Sequence, residues 1–149
     1  MKIVRDTRLE EFKRIEHLLY GNNYEVWFNL YGPADPELGL TGTLKRLISK
    51  DCEVSGVVPS TPNEAMSEIM DMVLYKGYTG LGPLELESKK SEISELMGKV
   101  FSSIGIEDAE IVVKFDFKNG HPAYPVFWDF AYDIHSKDQR WIFVGSSSD

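Results

Sequence analysis

The sequence predicts an α+β fold: amphipathic helices packed on a mainly antiparallel sheet that ends in a three-stranded C-terminal meander. Three observations lead there. Between 61 and 105 the apolar residues recur at helical spacing, from 109 onward the period drops to two, and turn residues separate the segments. No repeat, low-complexity tract or linker interrupts the chain, so residues 1–149 are expected to form a single domain. At 149 residues with an apolar share of 42%, folding can bury roughly two-thirds of the unfolded surface without a disulfide or metal staple.

The elements follow in order. Thr7 and Glu10 read as a capping box ahead of Leu9, Phe12, Ile15 and Leu19, an amphipathic helix stopping near the Gly-Asn-Asn at 21–23. "YEVWFNLY" (24–31) alternates and is rich in aromatic and β-branched residues, which reads as a strand. Glycine and proline make 32–43 a loop, with a short helix "LKRLISK" and a strand "EVSGVV" (53–58) after it. Thr61, Pro62 and Glu64 supply an N-cap, a first helical residue and the acid that closes the box. Met66, Ile69, Met70, Val73 and Leu74 then follow at helical spacing to a stop at Gly77. After a loop at 78–87, Ile93, Leu96, Met97, Val100, Phe101 and Ile104 repeat the spacing up to Gly105.

In "AEIVVKFDF" the odd positions Ile111, Val113, Phe115 and Phe117 form the apolar set, and Asn119–Gly120 suits a two-residue hairpin turn. That register sets Ile111 opposite Trp128, Val113 opposite Val126 and Phe115 opposite Tyr124. It also sets Glu110 against Asp129, a like-charge contact. Pro122 and Pro125 call for a bulge or an edge where the second strand starts. "SKDQ" (136–139) makes the next turn, pairing His135 with Arg140, Ile134 with Trp141 and Tyr132 with Phe143. Trp128, Phe130, Tyr132 and Ile134 then face the core, while Phe127, Asp129, Ala131, Asp133 and His135 face away.

The net charge of −8 is uneven. Residues 51–110 hold 4 Lys/Arg against 12 Asp/Glu, whereas the segments before and after are near neutral. Such a field repels phosphate backbones and attracts basic surfaces, which argues against direct nucleic-acid binding. Cys52 is the single cysteine, so an intramolecular disulfide is impossible and a reducing compartment fits. The charged first residues have no signal-peptide core, and no apolar run approaches the ~20 residues of a membrane span. A cytoplasmic, non-membrane location is expected.

Few chemistries survive inspection. Asp129 and Asp133 on one strand lie ~13 Å apart, beyond the ~5–9.5 Å of a glycosidase carboxylate pair. Asp133 and His135 are close enough to orient an imidazole as general base, but no serine sits in a nucleophile turn. The histidines at 17, 121 and 135 lack metal-ligand spacing. "GLTGTLKR" (39–46) offers a helix N-terminus with Lys45 and Arg46 to an anion, without P-loop spacing. No cofactor, no metal and no catalytic residue is assigned.

The non-core face of the meander mixes Val112, Phe127, Ala131, Ile142 and Val144 with Asp116, Asp129 and Asp133. That is too apolar for a solvent face, so a helix or a partner must cover it. The expectation is a non-catalytic acidic protein-binding module for a basic protein partner. Its contact residues are Glu85, Glu87, Glu92, Glu95, Phe127, Asp129, Asp133 and His135. In size, acidity and lack of catalytic motif it is analogous to a bacterial immunity protein, an inhibitor that neutralises a basic toxin or nuclease. One alternative is a small enzyme or ligand-binding domain using Asp133, His135 and the 39–46 loop, which requires a pocket joining that loop to the meander. Another is a subunit of a larger assembly, associating through the apolar outer face.

Overall fold

A computed structural model describes residues 6, 7, 9–77 and 80–149. In chain order the elements are β1 (Asp6–Thr7), α1 (Glu10–Leu19), β2 (Gly21–Asn22), β3 (Glu25–Ala34), α2 (Leu40–Leu47), β4 (Glu53–Pro59) and α3 (Pro62–Val73). There follow β5 (Gly82–Pro83), α4 (Leu86–Ile104), a 3-10 turn (Ile106–Asp108), β6 (Ile111–Asn119), β7 (Trp128–Ser136) and β8 (Gln139–Ser148). The main sheet runs β1-β3-β8-β7-β6-β4 with every neighbour antiparallel. The β6–β7–β8 meander forms its centre, and β2 pairs with β5 separately. The α+β architecture is that expected from the change of period.

The sheet is covered on both faces. α1, α3 and α4 bury Phe12, Ile15, Ile69, Ile93 and Met97 against Phe28, Phe130, Tyr132, Ile134 and Phe143. Phe143 anchors this layer, with ring centroids 5.8 Å from Phe12 and 5.0 Å from Phe130. Each such ring or aliphatic chain removed from water contributes ~1.5–3 kcal/mol. Gly145 makes the layer possible, because a Cβ there would stand 2.5 Å from the Phe130 ring. On the opposite face α2 packs Leu44 against Tyr31, Phe115, Ala131, Ile142 and Val144.

The helix signals held where capping chemistry was explicit. Thr61 Oγ1 accepts the Glu64 N–H at 3.2 Å with Pro62 at the first position. α4 ends on Gly105 at φ 75, where the left-handed region favours glycine. Elsewhere competing structure won. Asp6 and Thr7 pair with Tyr31 and Leu30 as a strand, so α1 begins at Glu10 behind Leu9 without a side-chain cap. α2 starts at Leu40, inside the stretch expected to be loop, because Leu40, Thr43, Leu44 and Leu47 share one helical face. α4 likewise starts at Leu86 within the expected loop. Tyr78 and Thr79 of that loop lie outside the described residues.

In the meander one register is as read and one is not. His135 pairs with Arg140, Ile134 with Trp141 and Tyr132 with Phe143. The connecting Lys137 and Asp138 both have positive φ, 51 and 62, the signature of a type I′ turn. In β6–β7, however, Ile111 pairs with His135 instead of Trp128, a shift of seven residues (135 − 128). An odd shift exchanges faces. Val112, opposite Ile134, therefore joins the first core, and Phe115 joins the second.

The cause lies at Asn119–Gly120. Asn119 pairs with Glu53 of β4, and a Cβ on Gly120, whose φ is +78, would meet the Cys52 backbone at 2.7 Å. The pair is engaged by β4, and the chain takes residues 120–127 to reach β7. There the N–H groups of Val126 and Phe127 both donate to Ser147 O, at 2.8 and 3.2 Å. This is the bulge expected beside the prolines, and it sends Phe127 to the first core.

Candidate functional site

The outward row of β7 is largely covered from within. Ala131, Ile142 and Val144 pack under α2, and Val112 and Phe127 belong to the opposite core. Phe127 packs with tilted rings against Tyr24 and Tyr75, at centroid distances of 5.5 and 6.5 Å, which removes it from the face assigned to it. Asp133 is buried, with a side chain 6% exposed. Arg140 Nε donates to Asp133 Oδ1 at 2.9 Å and Nη2 to Oδ2 at 2.8 Å. Arg140 Nη1 also donates to Asp35 O at 3.1 Å and to Leu38 O. This buried fork ties the β3–α2 connection to the meander. Asp133 is thus a structural counter-ion, and His135 Nε2 lies 3.4 Å from the same carboxylate. Glu110 does not face Asp129; its N–H donates to His135 O at 2.9 Å.

Asp129 is half-buried and 3.6 Å from His121 Nε2. His121 Nδ1 accepts the Ala123 N–H at 2.9 Å, so the neutral ring carries its hydrogen on Nε2. That Nε2 is buried without a hydrogen-bond partner. Beside it opens a cavity of about 570 Å³ bounded by Tyr31, Ser49, Asp51, Asn119 and His121. This cavity does join the α2 end to the meander, but through His121, and neither Asp133 nor His135 lines it.

The acids assigned at the start of α4 and along it lie on the other side of the sheet. Glu85, Glu87, Glu92 and Glu95 are all exposed, on a helix whose apolar face packs in the first core. Glu92 takes a two-pronged contact from Arg14, at 2.8 and 3.2 Å, and that hydrogen bonding holds its carboxyl below the usual range. Glu87 pairs with Lys90 at 3.2 Å. Lys89, Lys90 and Lys99 interleave with these glutamates, so α4 is close to neutral. The sheet separates it from Asp129, Asp133 and His135, and one flat partner cannot touch both sets.

Exposed acids also gather on α3 and the neighbouring 3-10 turn, where Lys137 of the β7–β8 turn borders the same cleft as Glu107 and Asp108. Glu64 and Asp71 are exposed on α3, and Glu107, Asp108 and Glu110 are exposed at or beside the turn. No Lys or Arg occurs at 51–75 or at 100–113. That sequence gap was the signal for this face. Glu68, also on α3, is half-buried between Lys114 Nζ at 2.7 Å and the Tyr132 hydroxyl at 3.0 Å. The Lys114 hydrogen bond keeps the Glu68 carboxyl below its ordinary range despite some burial, while burial pushes the Tyr132 phenol well above its own. This network fixes α3 to β6 and β7.

Among the described residues no group of three or more His, Cys, Asp or Glu is arranged to hold a metal ion. Nor is any helix among them long and apolar enough to cross a membrane. Comparison with protein-family models, with curated proteins and with solved structures returned no match.

Proposed function

We propose that this protein is a non-catalytic acidic binding module for a basic protein partner, acting in the cytoplasm. An immunity-type inhibitor of a basic bacterial toxin or nuclease is the form of that role its size and charge suit best. The observation that supports the reading is the set of exposed carboxylates on α3 and the 3-10 turn, two segments that themselves contain no Lys or Arg. With the meander's apolar outer face covered by α2, the reading places the partner on this acidic edge. Carboxylates concentrated on one edge accelerate encounter with a basic surface and make association salt-sensitive. The test is capture from native lysate with the purified chain as bait. Recovery of a basic protein at low salt, lost at high salt, supports the reading. Recovery of no basic protein at low salt overturns it.

A second reading, a small-ligand or enzymatic domain, is favoured by one observation: the buried His121 Nε2 without a hydrogen-bond partner beside the cavity. It requires that a hydrogen-bond-accepting metabolite raise the melting temperature of the wild type and not of His121→Ala. If a metabolite panel shifts neither protein, this reading fails.

A further inference from the structure

We propose that the cavity between the C-terminal half of α3 and the start of β7 receives one cationic side chain, an arginine, of the basic partner. The cavity measures about 240 Å³ and is bounded by Glu68, Asp71, Met72, Tyr75 and Trp128. Two independent features give it cation chemistry. The first is aromatic: Trp128 and Tyr75 line it, and a guanidinium against such rings gains attraction from their π surface. The Trp128 indole is held in place by donating its Nε1–H to the Tyr24 hydroxyl at 2.8 Å, so that ring is already ordered before binding.

The second feature is charge. Glu68 is neutralised within the chain by Lys114, whereas Asp71 is exposed and makes no ion pair among the described residues. The last turn of α3 contains no basic residue, so the negative end of the helix dipole adds to Asp71 uncompensated. An apolar ligand would leave Asp71 unused, and an anion would be repelled by it. A planar guanidinium fits between a carboxylate and an aromatic wall better than the strongly hydrated ammonium of lysine.

This inference rests on the reading of the protein as a binder of a basic partner, and its test separates the two. A capped Gly-Arg-Gly peptide is titrated against the labelled protein by amide and indole NMR, alongside the same peptide carrying neutral citrulline. The arginine peptide should shift the Trp128 indole N–H, with the citrulline peptide at least ~3-fold weaker. Asp71→Asn should weaken the arginine peptide by a similar factor, and Glu95→Gln should leave it unchanged. Equal binding of both peptides, an unmoved Trp128 indole, or an unaffected Asp71→Asn variant overturns the cavity assignment. In lysate capture, a basic partner that Asp71→Asn holds as tightly as wild type overturns the cavity and leaves the functional reading standing. Peptide binding at Trp128 with no basic partner captured supports the cavity and overturns that reading.

Discussion

Replacing Arg140 with methionine tests the buried fork that joins the β3–α2 connection to the meander. Arg140 is 3% exposed and Asp133 4%, so the substitution leaves a carboxylate in the interior, where His135 Nε2, at 3.4 Å, is the remaining cationic partner among the described residues. Removing one member of a buried pair costs about 3–5 kcal/mol, chiefly from the charge left uncompensated. For a chain of this length that is a large share of a total stability on the order of 7–22 kcal/mol. At about 2–4 °C per kcal/mol it corresponds to a loss in melting temperature of roughly 6–20 °C. The loop carbonyls of Asp35 and Leu38 lose their donor as well, but they sit beside exposed residues and can turn to water. Urea unfolding gives the free energy, and an unchanged slope confirms that the unfolded state is unaffected. The double variant Asp133→Leu/Arg140→Met removes both charges and should recover at least half of the loss. A single-variant cost under about 1 kcal/mol would refute the argument, and so would a double variant no better than Arg140→Met.

Three further outcomes are expected. Tyr132→Phe removes a hydroxyl that donates to the Glu68 carboxylate and should cost about 1–2 kcal/mol at neutral pH. Because the folded Glu68 carboxyl titrates below its unfolded value, its contribution is present above that value and lost as pH falls through the folded one. The gap between wild type and Tyr132→Phe should therefore narrow below about pH 4 in acid-series urea melts. Lys137→Asn with Asp138→Gly, at two positive-φ positions, should raise stability by about 1 kcal/mol in the same melts. The Cys52 thiol is buried, and that burial pushes it above its usual range. A disulfide reagent should accordingly label it only as fast as the chain unfolds, with full reaction in denaturant.

How much was legible in the sequence depended on whether local chemistry met a competitor. Thr61–Pro62–Glu64 and Gly105 were read correctly because nothing outside α3 and α4 contests those ends. The β7–β8 register was legible because only two residues, Lys137 and Asp138, fit between the paired Ser136 and Gln139. Asn119–Gly120 looked the stronger turn and misled, since β4 occupies it, and local sequence does not announce a distant edge strand. Alternation in β6 identified two faces without saying which core each would join. A sheet covered on both sides offers an apolar destination for either set. The run of buried residues from Ile142 to Ser147 is the mark of such a strand, visible in part as "WIFV". Only the first turn of α2 was hidden, by Gly39 and Gly42; the short helix was legible from Leu44, and Leu40 continues its spacing toward the N-terminus. Nothing local says where that helix packs, so a helix and a partner stood as equal candidates for a face that α2 in fact covers.

The functional claim now rests on α3 and the 3-10 turn, and one comparison tests it most directly. Wild type and the variant Glu64→Gln/Asp71→Asn/Glu107→Gln/Glu110→Gln are used in parallel as baits at low salt, with captured proteins quantified by mass spectrometry. All four positions are exposed, so the variant should fold with a stability within about 1 kcal/mol of wild type. The prediction is a basic protein enriched by wild type and lost, or reduced at least ~10-fold, with the variant. A basic partner retained equally by both baits would contradict the assignment of the acidic edge, and capture of none by wild type would contradict the binding role itself.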